Sequence, residues 1–276
     1  MVTKMVLDFL NLGISPPNFN ETHILLVLKV KKPKKIIDYR PISLCNVVYK
    51  IASKAILNRL KQVLSSIISE TQSDFVHGRL ITYNVLVAFE TMNHISQKKG
   101  GSVGEMTLKL DMSEAYDMME WRCLEKIMKK LGFAEKCRNL IMQCVTTITY
   151  AIKFNRSARG HIKPSKGIRK GDLISPYLFL LCAEGLSALI KASVDDGQME
   201  GVAICRGGPK LSHLFFADDS LIFCKAILAE CDFIQRVLEV YKRASGQQLN
   251  WAKTSLFFNR NTPRFIQEEV KQRFGA

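Results

Sequence analysis

Zinc-type spacing is missing from this chain. Its eight cysteines form no Cys-x-x-Cys pair and have no nearby histidine set of zinc-finger spacing. That argues against a disulfide framework or a structural zinc and for buried free thiols in a reducing compartment. No N-terminal segment reads as a secretory signal, so the expected location is intracellular, nucleus or cytoplasm, and not secreted. No apolar run is long enough to span a bilayer. The longest, Pro176 to Ile190, is interrupted by Glu184 and is read as a core helix, so no membrane is expected. Internal repeats and low-complexity tracts are absent as well. Acids are scarce: 25 Asp plus Glu stand against 40 Lys plus Arg, a net charge of +15. Such a surplus points to a polyanionic partner, nucleic acid before membrane.

What is present is a globular composition with 47% hydrophobic residues, enough for a real core. Ile24 to Val30 is a strand candidate that runs into the basic turn Lys31-Lys32-Pro33-Lys34-Lys35. Apolar residues at 48, 51, 52, 55, 56, 60, 63, 64 and 67 give helical spacing over Val47 to Ile68. A second helix is predicted over Asn84 to Gln97, and the Gly- and Lys-rich loop Lys98 to Gly104 marks the expected domain boundary. Further helices are expected from near Glu120 to a stop at Gly132, over Ala134 to Val145, and over Ala229 to Ala244. Another opens at Ser175 as N-cap, with Pro176 at its first position. Strands interleave with these helices without a strict βαβ rhythm, so the fold class is α+β rather than a doubly wound sheet.

Two acidic segments carry the chemistry. Phe216-Ala217-Asp218-Asp219 lies between two apolar runs and reads as a β-hairpin with the acid pair at its tip. Alone, such a pair is as a rule a solvated turn. Thr107-Leu108-Lys109-Leu110-Asp111 supplies the context that changes this reading. It alternates like a half-buried strand, with Leu108 and Leu110 on one face and Thr107, Lys109 and Asp111 on the other. An acid at a strand end can face an acid pair on a neighbouring hairpin, and the tertiary fold must close their wide separation. Carboxylates gathered in this way hold divalent metal, the equipment of two-metal phosphoryl transfer.

Leu108-Lys109-Leu110-Asp111-Met112-Ser113-Glu114-Ala115-Tyr116-Asp117 resembles the first catalytic motif of reverse transcriptases, and Phe216 to Asp219 resembles their metal-binding hairpin. Gly167-Ile168-Arg169-Lys170-Gly171-Asp172-Leu173-Ile174-Ser175-Pro176 is similar to the motif that positions template and nucleotide. Asp38 to Asn46 and Phe75 to Arg79 resemble the fingers of LINE-type (non-LTR) retrotransposon enzymes, the plant branch in particular. Ser245 to Asn250 with Lys253 completes a series covering about Asn20 to Ala276.

The resemblance implies a right-hand polymerase with fingers and palm, the palm a ferredoxin-like sheet with helices packed on one face. It assigns residues 1–104 to the fingers and 105–276 to the palm, with part of the fingers inserted near 124–165 and the thumb absent. The implied activity is that of an RNA-directed DNA polymerase. Its partners are an RNA template, a DNA primer and deoxynucleoside triphosphates, and its cofactor is a pair of Mg2+ ions, with Mn2+ as substitute.

On this resemblance Asp111 and Asp218 bridge the ions, Asp219 is auxiliary and Met112 lends its backbone carbonyl. Tyr116 is the gate against a ribose 2′-hydroxyl. Arg40, Lys170, Gly171 and Lys253 contact the nucleotide, while Lys29, Lys31, Lys34, Arg79, Gly167 and Arg169 contact nucleic acid. Asp117 is structural. Relatives usually carry Gln at the position of Lys170 and Pro at that of Leu173. The alternative is therefore a catalytically decayed remnant that at most binds nucleic acid. An intron-encoded maturase-type enzyme shares the palm, but the Ser212-His213 lead-in and the Asp38 to Asn46 stretch favour the LINE type.

Overall fold

The computed structural model describes residues 1–101, 103–113, 115–155, 157–205, 207–217 and 219–275. The helices are α1 (Val2–Leu12), α2 (Val47–Ile67), α3 (Ile81–Gln97), α4 (Ala115–Met118), α5 (Trp121–Lys130), α6 (Glu135–Thr146), α7 (Ser175–Asp195), α8 (Leu228–Ser245) and α9 (Arg264–Phe274). The strands are β1 (Glu21–Leu28), β2 (Tyr39–Cys45), β3 (Glu105–Ser113), β4 (Thr149–Phe154), β5 (Ser157–Ile162), β6 (Val202–Ala203), β7 (Lys210–Leu211), β8 (His213–Phe216), β9 (Asp219–Lys225), β10 (Gln248–Leu249) and β11 (Ser255–Phe258).

Helix ends follow local chemistry. Gly132, with φ +82°, follows the end of α5, and Gly246, with φ +74°, ends α8, because a residue without Cβ enters the left-handed region at little cost. The start of α7 differs from the expected cap by one residue. The Ile174 carbonyl already accepts the first helical bonds, from the N–H groups of Tyr177 and Leu178, so Ser175 lies inside the helix. The Asp172 carboxylate accepts the Ile174 N–H at 3.5 Å and takes over part of the capping.

The chain forms two compact units, Met1–Val63 with Tyr116–Phe179, and Leu64–Ala115 with Leu180–Ala276. This differs from the expected division into 1–104 and 105–276. The Lys98 to Gly104 loop lies within the second unit, where a Cβ on Gly104 would come 2.2 Å from Thr262 Oγ1. The division runs through α2 and α7, two long continuous helices that each contribute one end to each unit.

The first unit is built on a sheet of order β2-β1-β4-β5. β1 pairs antiparallel with β2 and parallel with β4, and β4–β5 is a hairpin with β5 at the edge. In the same unit the buried rings of Phe9, Phe19 and Tyr49 meet in tilted and edge-on contacts, with centroids 4.6 and 5.5 Å apart.

The second unit holds an antiparallel sheet of order β10-β3-β9-β8, with β11 also on β3. With α7 between β3 and β8 and α8 after β9, this is the β-α-β-β-α-β ferredoxin-like arrangement. On one face Met106, Leu108, Leu110, Ile222 and Cys224 are all buried. His213 on that face bonds to Ser187 of α7. On the other face Leu214 and Phe223 pack against Ala88 and Ile95 of α3. Thr107 shares this second face and is only 2% exposed, contrary to its expected place on a solvated side. The coverage by α3 ends before Lys109 and Asp111, which leaves that end of the strand accessible.

Among the described residues α7 is the one helix long and apolar enough to cross a membrane by length and composition. Its 21 residues exceed the predicted run. Leu181, Cys182, Leu186 and Ile190 are buried, as expected of a core helix.

Candidate metal centre and nucleotide loop

In the second unit Asp111 of β3 and Asp219 of β9 are direct cross-strand partners, so their side chains share one face. Each carboxylate has its own ammonium. Lys253 Nζ lies 3.3 Å from Asp111 Oδ2, and Lys109 Nζ lies 3.6 Å from Asp219 Oδ1. The side chain of Asp111 is one-fifth exposed and that of Asp219 one-half. Asp218, expected to bridge the ions, lies outside the described residues. The hairpin between Phe216 and Asp219 is tight, and Ala217 in it adopts φ +53°, a left-handed conformation that costs a residue with Cβ about 1–2 kcal/mol.

The Asp111 carbonyl accepts the Asn250 N–H at 2.9 Å, towards β10. Successive carbonyls along a strand point opposite ways, so that of Met112 points to the β9 side, where pairing stops at Asp219. Lys253 sits in a 3-10 turn, Trp251–Lys253.

Among the described residues no cluster of three metal-ligating side chains occurs. The donors that are described, two carboxylates and a carbonyl, are hard oxygens suited to Mg2+ or Mn2+. Two ammonium groups already lie against those carboxylates as stand-in cations, which is the electrostatics a metal pair would meet. The residues therefore fit the divalent cations that the resemblance implies.

In the first unit the segment Tyr116–Trp121 and the loop Gly167–Lys170 are stitched together. Gly167 N–H donates to Met119 O, Ile168 N–H to Tyr116 O, and Trp121 Nε1–H to Gly167 O, each at 2.7 Å. Lys170 forms an ion pair with Asp117. Gly167 has φ +87°, and a Cβ there would sit 2.7 Å from the Asp117 carbonyl oxygen. Its small size admits the protein's own backbone, a correction to the expected approach of nucleic acid. Gly171, with φ +96°, lies against Ile42 and Ser43. The Tyr116 ring stacks on Phe179, centroids 5.6 Å apart and planes 8° from parallel. Neither Phe179 nor Trp121 was singled out from sequence, because aromatic spacing alone does not say which rings meet.

Two predicted nucleic-acid contacts are structural instead. Arg169 is 2% exposed. Its guanidinium donates to Asp172, Asn20, Thr22 and the Cys144 carbonyl at 2.6–3.1 Å, and it lies 3.8 Å over the Tyr49 ring. Tyr49 in turn donates to Asp172 at 2.5 Å, and burial pushes its phenol well above the usual range. A guanidinium so enclosed has no donor left for phosphate. Arg79 is the second correction. It donates to the carbonyls of Ser65, Ile68, Ser69 and Gln72 and so ties down the C-terminal end of α2. The i,i+3 spacing of Arg169 and Asp172 was a readable warning; carbonyl acceptors such as those of Arg79 leave no mark in a sequence.

Lys29, Lys31 and Lys34 are exposed on the β1–β2 turn, and Arg40 is exposed near the start of β2. The turn is held by Lys29 Nζ donating to Ile37 O at 3.0 Å and by the Asp38 carboxylate, which accepts the N–H groups of Lys34 and Lys35. Those two backbone bonds lower the pKa of Asp38.

Beneath the palm sheet, His213 is fully buried. Its Nε2 lies 2.9 Å from Ser187 Oγ and 3.0 Å from Thr71 Oγ1, and its Nδ1 is 3.0 Å from Ser212 Oγ. Burial, aided by the charge of Lys191, lowers its pKa to about 3.

Comparison with known proteins gives these residues a context. The model of the family described as "Reverse transcriptase (RNA-dependent DNA polymerase)" matches residues 30–271. The transposon TX1 uncharacterized 149 kDa protein of Xenopus laevis is 28% identical over 233 residues, 84% of this chain and 17% of that protein. The Retrovirus-related Pol polyprotein from type-1 retrotransposable element R2 of Nasonia vitripennis is 20% identical over 213 residues, 77% of this chain and 20% of that protein. This chain thus spans a fifth or less of the length of these relatives. Among solved structures, telomerase from Candida albicans in complex with a TWJ fragment of telomeric RNA superposes with a TM-score of 0.62 at 14% identity. That match covers 90% of this chain and 44% of the other, and it shows a shared fold.

Proposed function

Because this chain belongs to the reverse transcriptase family, we propose that it is the fingers-and-palm core of a LINE-type RNA-directed DNA polymerase, extending a DNA primer on an RNA template. The observation that carries the proposal is the pairing of Asp111 with Asp219 at the open end of the palm sheet.

Asp111, Asp219 and the Met112 carbonyl, with Asp218, would hold two Mg2+ ions, or Mn2+. Bound there, the ions lower the pKa of the primer 3′-hydroxyl and neutralise charge on the transferring phosphate. The chain's own groups do the rest. Lys253 releases Asp111 when the site fills and is then free to donate a proton to departing pyrophosphate. Tyr116, fixed by its stack on Phe179, sets the room available to the sugar and so favours deoxynucleotides. Arg40, Lys29, Lys31 and Lys34 meet phosphates as exposed cations, Arg40 through a bidentate fork. Lys170 and Gly171 line the nucleotide loop. The Asp117 carboxylate neutralises Lys170, so the substitution of an amide by an ammonium leaves that loop without net charge. This favours the active reading over a remnant that only binds nucleic acid. An intracellular location, nucleus or cytoplasm, accompanies the proposal.

The test is primer extension on an RNA template with Mg2+. The wild-type chain is expected to make product, and Asp111→Asn to lose at least ~100-fold in rate, since a misplaced metal forfeits several kcal/mol of charge stabilisation. Absence of product from both the wild type and a Lys170→Gln/Leu173→Pro variant would overturn the proposal.

A further inference from the structure

Residues 136–171 contain nine Lys or Arg and no Asp or Glu. Two of the nine are spoken for, Arg169 by Asp172 and Lys170 by Asp117. Lys153, Arg159, Lys163 and Lys166 have no ion-pair partner among the described residues. The fold gathers them on and just after the β4–β5 hairpin of the first unit.

All six residues of β5 are exposed, and its outer edge pairs with no strand among the described residues. The register puts Phe154 opposite Ser157 and Ile152 opposite Arg159, so Phe154, Ile152 and Arg159 share one face. Phe154 is 61% exposed and Ile152 37%. A protruding strand edge whose apolar residues face water beside unpaired cations gains nothing for the fold from either feature.

We propose that this hairpin is a binding surface for single-stranded nucleic acid, with Phe154 as a stacking platform for a base and Arg159, Lys153 and Lys163 as phosphate contacts. The ring decides between nucleic acid classes. A duplex offers a hairpin edge its phosphates and keeps its bases stacked inside. A single strand offers both phosphates and an open base face, which is the combination that a cation beside an exposed ring engages. An acidic peptide would match the cations but leave Phe154 without a partner. The inference needs only a nucleic-acid partner and stands apart from catalysis, so the two are separable.

The probe is a fluorescein-labelled single-stranded RNA titrated with the full chain without metal, followed by anisotropy over a range of salt. Phe154→Ala should weaken binding by roughly fivefold or more at every salt concentration and leave the salt slope unchanged. Lys153→Ala/Arg159→Ala/Lys163→Ala should make the slope shallower by about 2, the loss of three single-strand phosphate contacts. These are surface positions, and unchanged circular dichroism and melting temperature confirm the fold of each variant. Arg159→Glu is a second variant and should reverse a contact rather than remove one. Binding unaltered in both Phe154→Ala and the triple variant overturns the inference, even where primer extension succeeds. So does tighter binding to duplex than to single strand, or displacement by an acidic peptide but not by unlabelled RNA. Loss of binding in these variants upholds it even where no primer is extended.

Discussion

Acid should loosen the palm through one histidine. His213 is neutral in the folded chain, with a pKa near 3 against 6.5 for a free imidazole. Unfolding frees it to take a proton, so the unfolded state binds more protons wherever pH lies below 6.5. The folded-state pKa is depressed, so stability is full above pH 6.5 and is lost progressively as pH falls towards 3. At pH 5 the unfolded imidazole is favoured in its charged form by 1.5 pH units, and at 1.36 kcal/mol per unit the folded state loses about 2 kcal/mol.

Other groups titrate in the same range. Glu105 contributes in the same direction: burial pushes its carboxyl up, but Lys98 and Lys225 outweigh this and hold the pKa below the usual value. The comparison must therefore be between variants. Urea midpoints for wild type and His213→Gln, measured at pH 7.5 and pH 5.0, isolate the histidine. Gln keeps a polar partner for Ser187 and Thr71 but does not titrate. Its baseline stability will be lower, because the ring also packs 4.8 Å from Phe215, but its loss between the two pH values should be smaller than that of wild type by about 2 kcal/mol. Equal losses in both proteins would refute the reasoning.

The Arg169 hub should be intolerant of change. Arg169→Met strands Asp172 in the core and is expected to cost about 3–5 kcal/mol by denaturant titration, because it leaves a buried charge without its partner. Arg79→Ala should cost about 1–3 kcal/mol, the penalty for unsatisfied carbonyls, and should leave the salt slope of RNA binding unaltered, which a phosphate contact would not. Ala217→Gly should stabilise the hairpin by up to about 1 kcal/mol in the same assay, since glycine accepts the positive φ without strain. Tyr116→Ala should raise incorporation of ribonucleotides relative to deoxynucleotides in primer extension, and unchanged selectivity would remove the gate role.

Much of the palm was legible. Alternation over Thr107 to Asp111 and the acid pair between apolar runs gave β3 and the β8–β9 hairpin, because strand period and turn chemistry are local properties. The long helices α2 and α3 were legible for the same reason. Thr107 was misjudged since burial on the polar side of a strand depends on whether a helix, here α3, happens to cover it. Nothing in the motif series points to α1 or α9. The predicted phosphate contacts failed where partners are distant: Asn20 is 149 residues from Arg169, and no window around Arg169 contains it. In sequence Lys109 marks only the polar face of its strand, and the fold makes it the cation beside Asp219.

The open margin of β5 has a consequence for handling the protein. An open strand edge invites another copy to add itself, and two such margins carrying Arg159 and flanked by Lys163 repel each other instead. Concentrated salt screens that repulsion over a distance of a few ångströms. Preparations kept at high ionic strength should therefore associate edge to edge well before their cores begin to open, and a bound polyanion should promote the same association by neutralising the guard.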